Sequence, residues 1–93
     1  MNELETFRRE IDAIDQAIRE LFRKRMDIVD KVAEYKMAHD MIVYDPVREE
    51  ELIKSNVEGF PVEEYREYYR EVLNVILHVS KEHQKSLIMR STL

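Results

Sequence analysis

Ninety-three residues with one glycine, two prolines and a charged fraction of 38% describe one small domain, read as all-α, because helices tolerate charge and need few turn residues. The absence of cysteine excludes disulfides, CxxC redox pairs and thiolate metal ligands. A formal net charge of −5, with Lys and Arg interleaved among acids, argues against a general nucleic-acid surface.

From Leu4 onward, apolar residues follow a heptad: Leu4, Phe7, Ile11, Ile14, Ile18, Leu21, then Ile28, Val32 and Tyr35. Neither Gly nor Pro interrupts the chain from about Glu3 to about His39, which predicts a helix of roughly 55 Å. A helix that long cannot bury its stripe against its own short remainder, so it is expected to pack along the same helix of a second chain. Asp45-Pro46 is a helix start, with Asp45 as N-cap and Pro46 at the first helical position, and a short second helix should run to about Val57. Glu58-Gly59-Phe60-Pro61 breaks the chain. A third helix of medium length then carries Val62, Tyr65, Tyr69, Val72, Ile76, Val79 and His83 on one face and ends near Met89, leaving Arg90 to Leu93 to fray. No repeat or linker divides the chain, so residues 1–93 form a single three-helix domain. No apolar run approaches the ~20 residues of a membrane span, and Met1 leads straight into Asn2, Glu3 and Glu5 without a basic or apolar leader, so a cytoplasmic protein without a membrane partner is expected.

Arg25 stands where the heptad calls for an apolar residue. Burying an unpaired guanidinium costs several kcal/mol even after relaxation, so either an internal carboxylate faces Arg25 or the protein is built to receive an anion. Lys36 follows after about three turns and projects from nearly the same face, about 16 Å along the axis; two long side chains can clamp a small acid across that gap. Asp45, Arg48 and Glu49 share one face at the start of the second helix, where a capping residue and a solvated charge cluster are the plain alternative. Ser80 and Gln84 stand at i and i+4 beside Ile76, Leu77, Val79 and Leu87, and satisfy each other, a backbone carbonyl, or the same ligand as Arg25. Arg8 precedes Arg25 by about 25 Å on the same helix and is rotated by roughly 100°, so the two cannot hold one small ligand within a chain. An antiparallel mate would bring Arg8 of one chain to the Arg25 and Lys36 region of the other. His39, His78 and His83 lack the spacing of a metal site, and no nucleophile with its base or Gly-rich phosphate loop is present, so no metal or cofactor is expected.

These residues together resemble the all-helical (AroQ-type) chorismate mutases along nearly the whole chain. The resemblance rests on Arg8 within Phe7-Arg8-Arg9-Glu10-Ile11-Asp12-Ala13-Ile14-Asp15, on Arg25 within Arg23-Lys24-Arg25, on Lys36, on Val43-Tyr44-Asp45-Pro46-Val47-Arg48-Glu49, and on Ser80 with Gln84. It implies an intertwined homodimer that converts chorismate to prephenate on the route to phenylalanine and tyrosine. It further implies that Arg25 and Arg8, the latter in trans, bind the two substrate carboxylates with Ser80 assisting, and that Lys36 and Gln84 bond the ether oxygen. By the same resemblance, the Asp45 region and Glu49 hold the ring hydroxyl, and Arg48 lines the site. Two alternatives stand beside it. One is isochorismate pyruvate lyase on the same scaffold, a branch in which the acid matching Glu49 and the serine matching Ser80 are not retained. The other is a noncatalytic helical dimer, an adaptor or regulatory module in which the heptads are the whole purpose.

Overall fold

The computed structural model describes residues 2–92, and among them only helices and connecting turns occur. Helix α1 spans Glu3–Ala38, α2 spans Pro46–Glu58, a short 3-10 turn covers Glu63–Tyr65, and α3 spans Arg66–Thr92. The ends of α1 follow from local chemistry. Asn2 caps its start by accepting from the Glu5 N–H at 2.8 Å, with Glu3 and Glu5 in the first turn and Lys36 in the last, each sign suited to the helix dipole. At its other end, Asp40 takes a left-handed φ of 53°, and the Met41 N–H reaches back to the Lys36 carbonyl at 2.9 Å, closing the helix in a Schellman turn. Asp45 caps α2 through its side chain, which accepts from the Arg48 N–H at 3.0 Å, and Pro46 opens the helix as the sequence predicts. Gly59 is the C-cap of α2 and donates its N–H to the Ser55 carbonyl at 3.0 Å, so close that an added Cβ would lie 2.9 Å from that oxygen.

Helix α3 packs against both α1 and α2, while no close backbone approach joins α1 to α2. A cleft therefore opens between them, floored by α3. The core beneath it is small: Val29 and Ala33 of α1, Val57 of α2, and Leu73 and Leu77 of α3 are buried together with Ser80 and Gln84. His83 reaches Asp30 across the α1–α3 contact, and the Phe60 and Tyr69 rings meet at 4.9 Å where the chain enters α3.

Two expectations are corrected. The buried row of α3 is Leu73, Leu77, Ser80 and Gln84, one position round from the apolar stripe: Val72 is half exposed, and His83 faces a carboxylate. The medium helix begins at Arg66 rather than at Val62, and it continues past Met89 to Thr92, so Arg90 and Ser91 are helical; Leu93 lies outside the described residues. The heptad stripe lies partly beside the cleft and partly on open surface, with Ile28 and Tyr35 themselves 55% and 58% exposed. Ile28, Val32 and Lys36 turn toward the cleft with Arg25, whereas Leu4, Phe7, Ile11, Ile14, Ile18 and Leu21 lie 53–63% exposed, and every residue from 2 to 24 is open to solvent.

The chain is consequently long and thin, 55 × 28 × 14 Å, with a radius of gyration of 17.0 Å against about 12 Å for a compact chain of this length. Its accessible surface is 7696 Å², where a compact monomer of this mass exposes about 5,700 Å². No helix among the described residues is long and apolar enough to cross a membrane.

Candidate active site

The cleft holds a cavity of about 380 Å³, within the range of small-molecule sites. One wall is α1, contributing Arg25, Ile28, Val29, Val32 and Lys36, which stand at i, i+3, i+4, i+7 and i+11 and so share a face. The floor is α3, with Leu77, Ser80, Lys81 and Gln84. The far wall is Val43 from the connection together with Asp45, Arg48, Glu49 and Leu52 of the second helix and its cap.

The Schellman turn after α1 folds the connection back on the helix, and this places the Val43 carbonyl 2.8 Å from the Lys36 ammonium. One of the three ammonium protons is engaged there, which holds the group at the cavity wall with two donors in reserve. Arg25 is half-buried and donates through Nη1 to the Ser80 hydroxyl; Ser80 in turn donates to the Ile76 carbonyl at 2.7 Å. This chain fixes the guanidinium by way of the α3 backbone. Burial lowers the Arg25 pKa from its usual value, and the neighbouring Arg48 lowers it further. Both causes disfavour its charge, and no carboxylate pairs with it among the described residues. The question posed by Arg25 in the heptad is thus answered on one side: among the described residues no carboxylate forms an ion pair with it.

Gln84 is buried one turn beyond Ser80, and its Oε1 accepts no hydrogen bond among the described residues. An unmet buried acceptor costs about 1–3 kcal/mol, so leucine at 84 would serve packing better than the glutamine present.

The acids of the site behave differently. Asp45 is committed to capping α2 while also lining the cavity. Glu49 is only part exposed and forms an ion pair with Lys81, Nζ to Oε1 at 3.2 Å, so it is not the solvated surface charge that its position on α2 allowed. The Lys81 ammonium also lies 4.8 Å from the centre of the Tyr44 ring. Four cations and two carboxylates line the cavity, a local excess of two positive charges in a chain of net charge −5. Such an arrangement suits a small dianion held among apolar walls, and its fixed N–H donors stabilise negative charge wherever it develops on that ligand.

The sequence matches the family model of chorismate mutase type II over residues 7–85. The chain belongs to the chorismate mutase type II family. No curated protein matches the sequence significantly. Of the residues that the resemblance to chorismate mutases singled out, Arg25, Lys36, Asp45, Arg48, Glu49, Ser80 and Gln84 come together in one cavity. Arg8 does not; it sits on the exposed half of α1. Two features of this mutase-family cavity escaped the sequence reading. Lys81 carries no local signal, since its partner Glu49 is 32 residues away, and the Val43 carbonyl is placed by a turn that Asp40 closes where glycine is the usual mark.

Proposed function

We propose that the protein is a chorismate mutase, an isomerase that rearranges chorismate to prephenate in phenylalanine and tyrosine biosynthesis, acting as a cytoplasmic homodimer. The observation that carries this reading is the cavity itself: Arg25, Lys36 and Arg48 line it without a carboxylate partner, beside the buried amide of Gln84. Chorismate is a dianion with two carboxylates, an ether bridge and a ring hydroxyl, and each has a counterpart here. Arg25, steadied by Ser80, takes one carboxylate. Lys36 and Gln84 donate to the ether oxygen, Arg48 adds positive potential near Lys36, and Glu49 with the Asp45 region holds the hydroxyl.

The reaction is unimolecular: the ether C–O bond breaks as a C–C bond forms, and no proton, nucleophile or electron is exchanged with the protein. Catalysis then consists of holding the enolpyruvyl arm over the ring in the reactive chair and stabilising the charge that gathers on the ether oxygen. Lys36, already oriented by Val43, needs no reorganisation to do so. Gln84 is a neutral amide, which donates without having to be protonated first.

With Arg25 on one carboxylate and Lys36 on the ether oxygen, this reading assigns the second carboxylate to Arg8 of a second chain. The support for a dimer is the exposed row from Leu4 to Leu21 and the surface of roughly 2,000 Å² beyond that of a compact monomer. Burying each of those side chains stabilises association by about 1.5–3 kcal/mol at most. The shared site is tested by unfolding Arg8→Ala and Lys36→Ala chains together and refolding them at equal concentration. Each variant alone should be nearly inactive. In the mixed dimer one site regains both residues and the other loses both, so the mixture should recover up to about one quarter of wild-type activity. Mixed dimers that stay as inactive as their parents would remove Arg8 from the site.

A further inference from the structure

Lys81 is the one charged group of the cavity to which no role has been given. It is fixed by two contacts: its ammonium is 3.2 Å from Glu49 Oε1 and 4.8 Å from the centre of the Tyr44 ring. It thereby ties α3 to the first turn of α2 and to the connection that also carries Val43. The pair is sheltered, with 27% and 20% of the two side chains accessible, so its mutual attraction is screened less than that of a surface pair such as Lys85 with Glu82.

Glu49 presents a difficulty for the reading given above, on which this inference rests. A carboxylate in a cavity that receives a dianion repels it, and the repulsion is strongest where water is excluded. The contact with Lys81 engages only Oε1 of Glu49. We propose that Lys81 is a positioning residue for substrate recognition: it neutralises Glu49 and fixes its carboxylate so that Oε2 accepts the ring hydroxyl of the bound dianion. Lys81 acts through Glu49 and does not itself bind a substrate carboxylate. Glu49 then serves as an acceptor that selects a hydroxyl-bearing ring, and its charge no longer opposes binding.

The role is read from steady-state kinetics on chorismate with the full chain and four variants: Lys81→Met, which keeps the aliphatic stem, Lys81→Arg, Glu49→Gln, and Lys81→Met with Glu49→Gln. Lys81→Met should raise KM about tenfold while kcat changes less than about twofold, because the hydroxyl contact is made equally in ground and transition states. Lys81→Arg should restore most of the loss. The double variant should bind substrate no worse than Glu49→Gln alone, because without the carboxylate charge there is nothing left for Lys81 to neutralise. Additive losses in the double variant, or a KM unmoved by Lys81→Met, would overturn the proposal while leaving the mutase reading intact. A wild-type chain that does not turn over chorismate would overturn the mutase reading, and this inference with it.

Discussion

Replacing Lys36 with Ala should lower kcat for the chorismate rearrangement by on the order of 100-fold or more, the loss seen when a preorganised donor to a developing oxyanion is removed. The expectation rests on where the ammonium is held. Lys36 is part buried at the end of α1, and the Val43 carbonyl at 2.8 Å orients it from the connection. The dipole of α1 opposes its displacement, since a cation in the last turn of a helix is favoured. Charge on the ether oxygen grows as the C–O bond lengthens, so the contact is stronger in the transition state than in the bound substrate. The loss should therefore fall on kcat more than on KM. Lys36→Arg is not a conservative rescue, because a planar guanidinium cannot reproduce the tetrahedral donor set that Val43 and the ether oxygen share. A Lys36→Ala protein with unchanged kcat would show that catalysis comes from holding the reactive conformation alone.

Arg25→Leu should separate stability from activity. In the folded protein the guanidinium meets burial and the repulsion of Arg48, with Ser80 as its fixed hydrogen-bond partner and no carboxylate to balance it. Leucine there would join Ile28, Val29, Val32 and Leu77 along the cavity wall. Ser80 would not be orphaned, because its hydroxyl already donates to the Ile76 carbonyl. Replacing a desolvated cation by a well-packed apolar residue is often neutral or stabilising, so urea denaturation should show stability unchanged or raised by up to about 1 kcal/mol. Activity should fall by more than about 100-fold, because the anchor of a substrate carboxylate is gone. A noncatalytic helical dimer would show the first effect without any loss of ligand. A large loss of stability would show that Arg25 holds the fold.

Much of the architecture is legible in the chain. The heptad and the lack of helix breakers mark α1 nearly to the residue, and Asp45-Pro46 marks the start of α2, because these signals are local. The face of α3 was misread for a physical reason. Its buried row is Leu73, Leu77, Ser80 and Gln84, and the two polar members that break the row line the cavity; counting apolar side chains instead selects Val72, Ile76 and Val79, one position round. Two polar residues in the buried row thus concealed the packing face. Arg25 and Lys36 were readable as cavity partners because helical geometry relates them directly. The pair of Lys81 with Glu49 was not, since only the fold brings α2 and α3 together at that point.

The most direct test incubates the purified protein with chorismate and, separately, with isochorismate, and identifies the products by chromatography beside an Arg25→Ala control. Prephenate formed from chorismate by the wild-type protein, and reduced to the uncatalysed background in the control, is the predicted result. Pyruvate and salicylate from isochorismate alone, or no turnover of either compound by a folded protein, would contradict it.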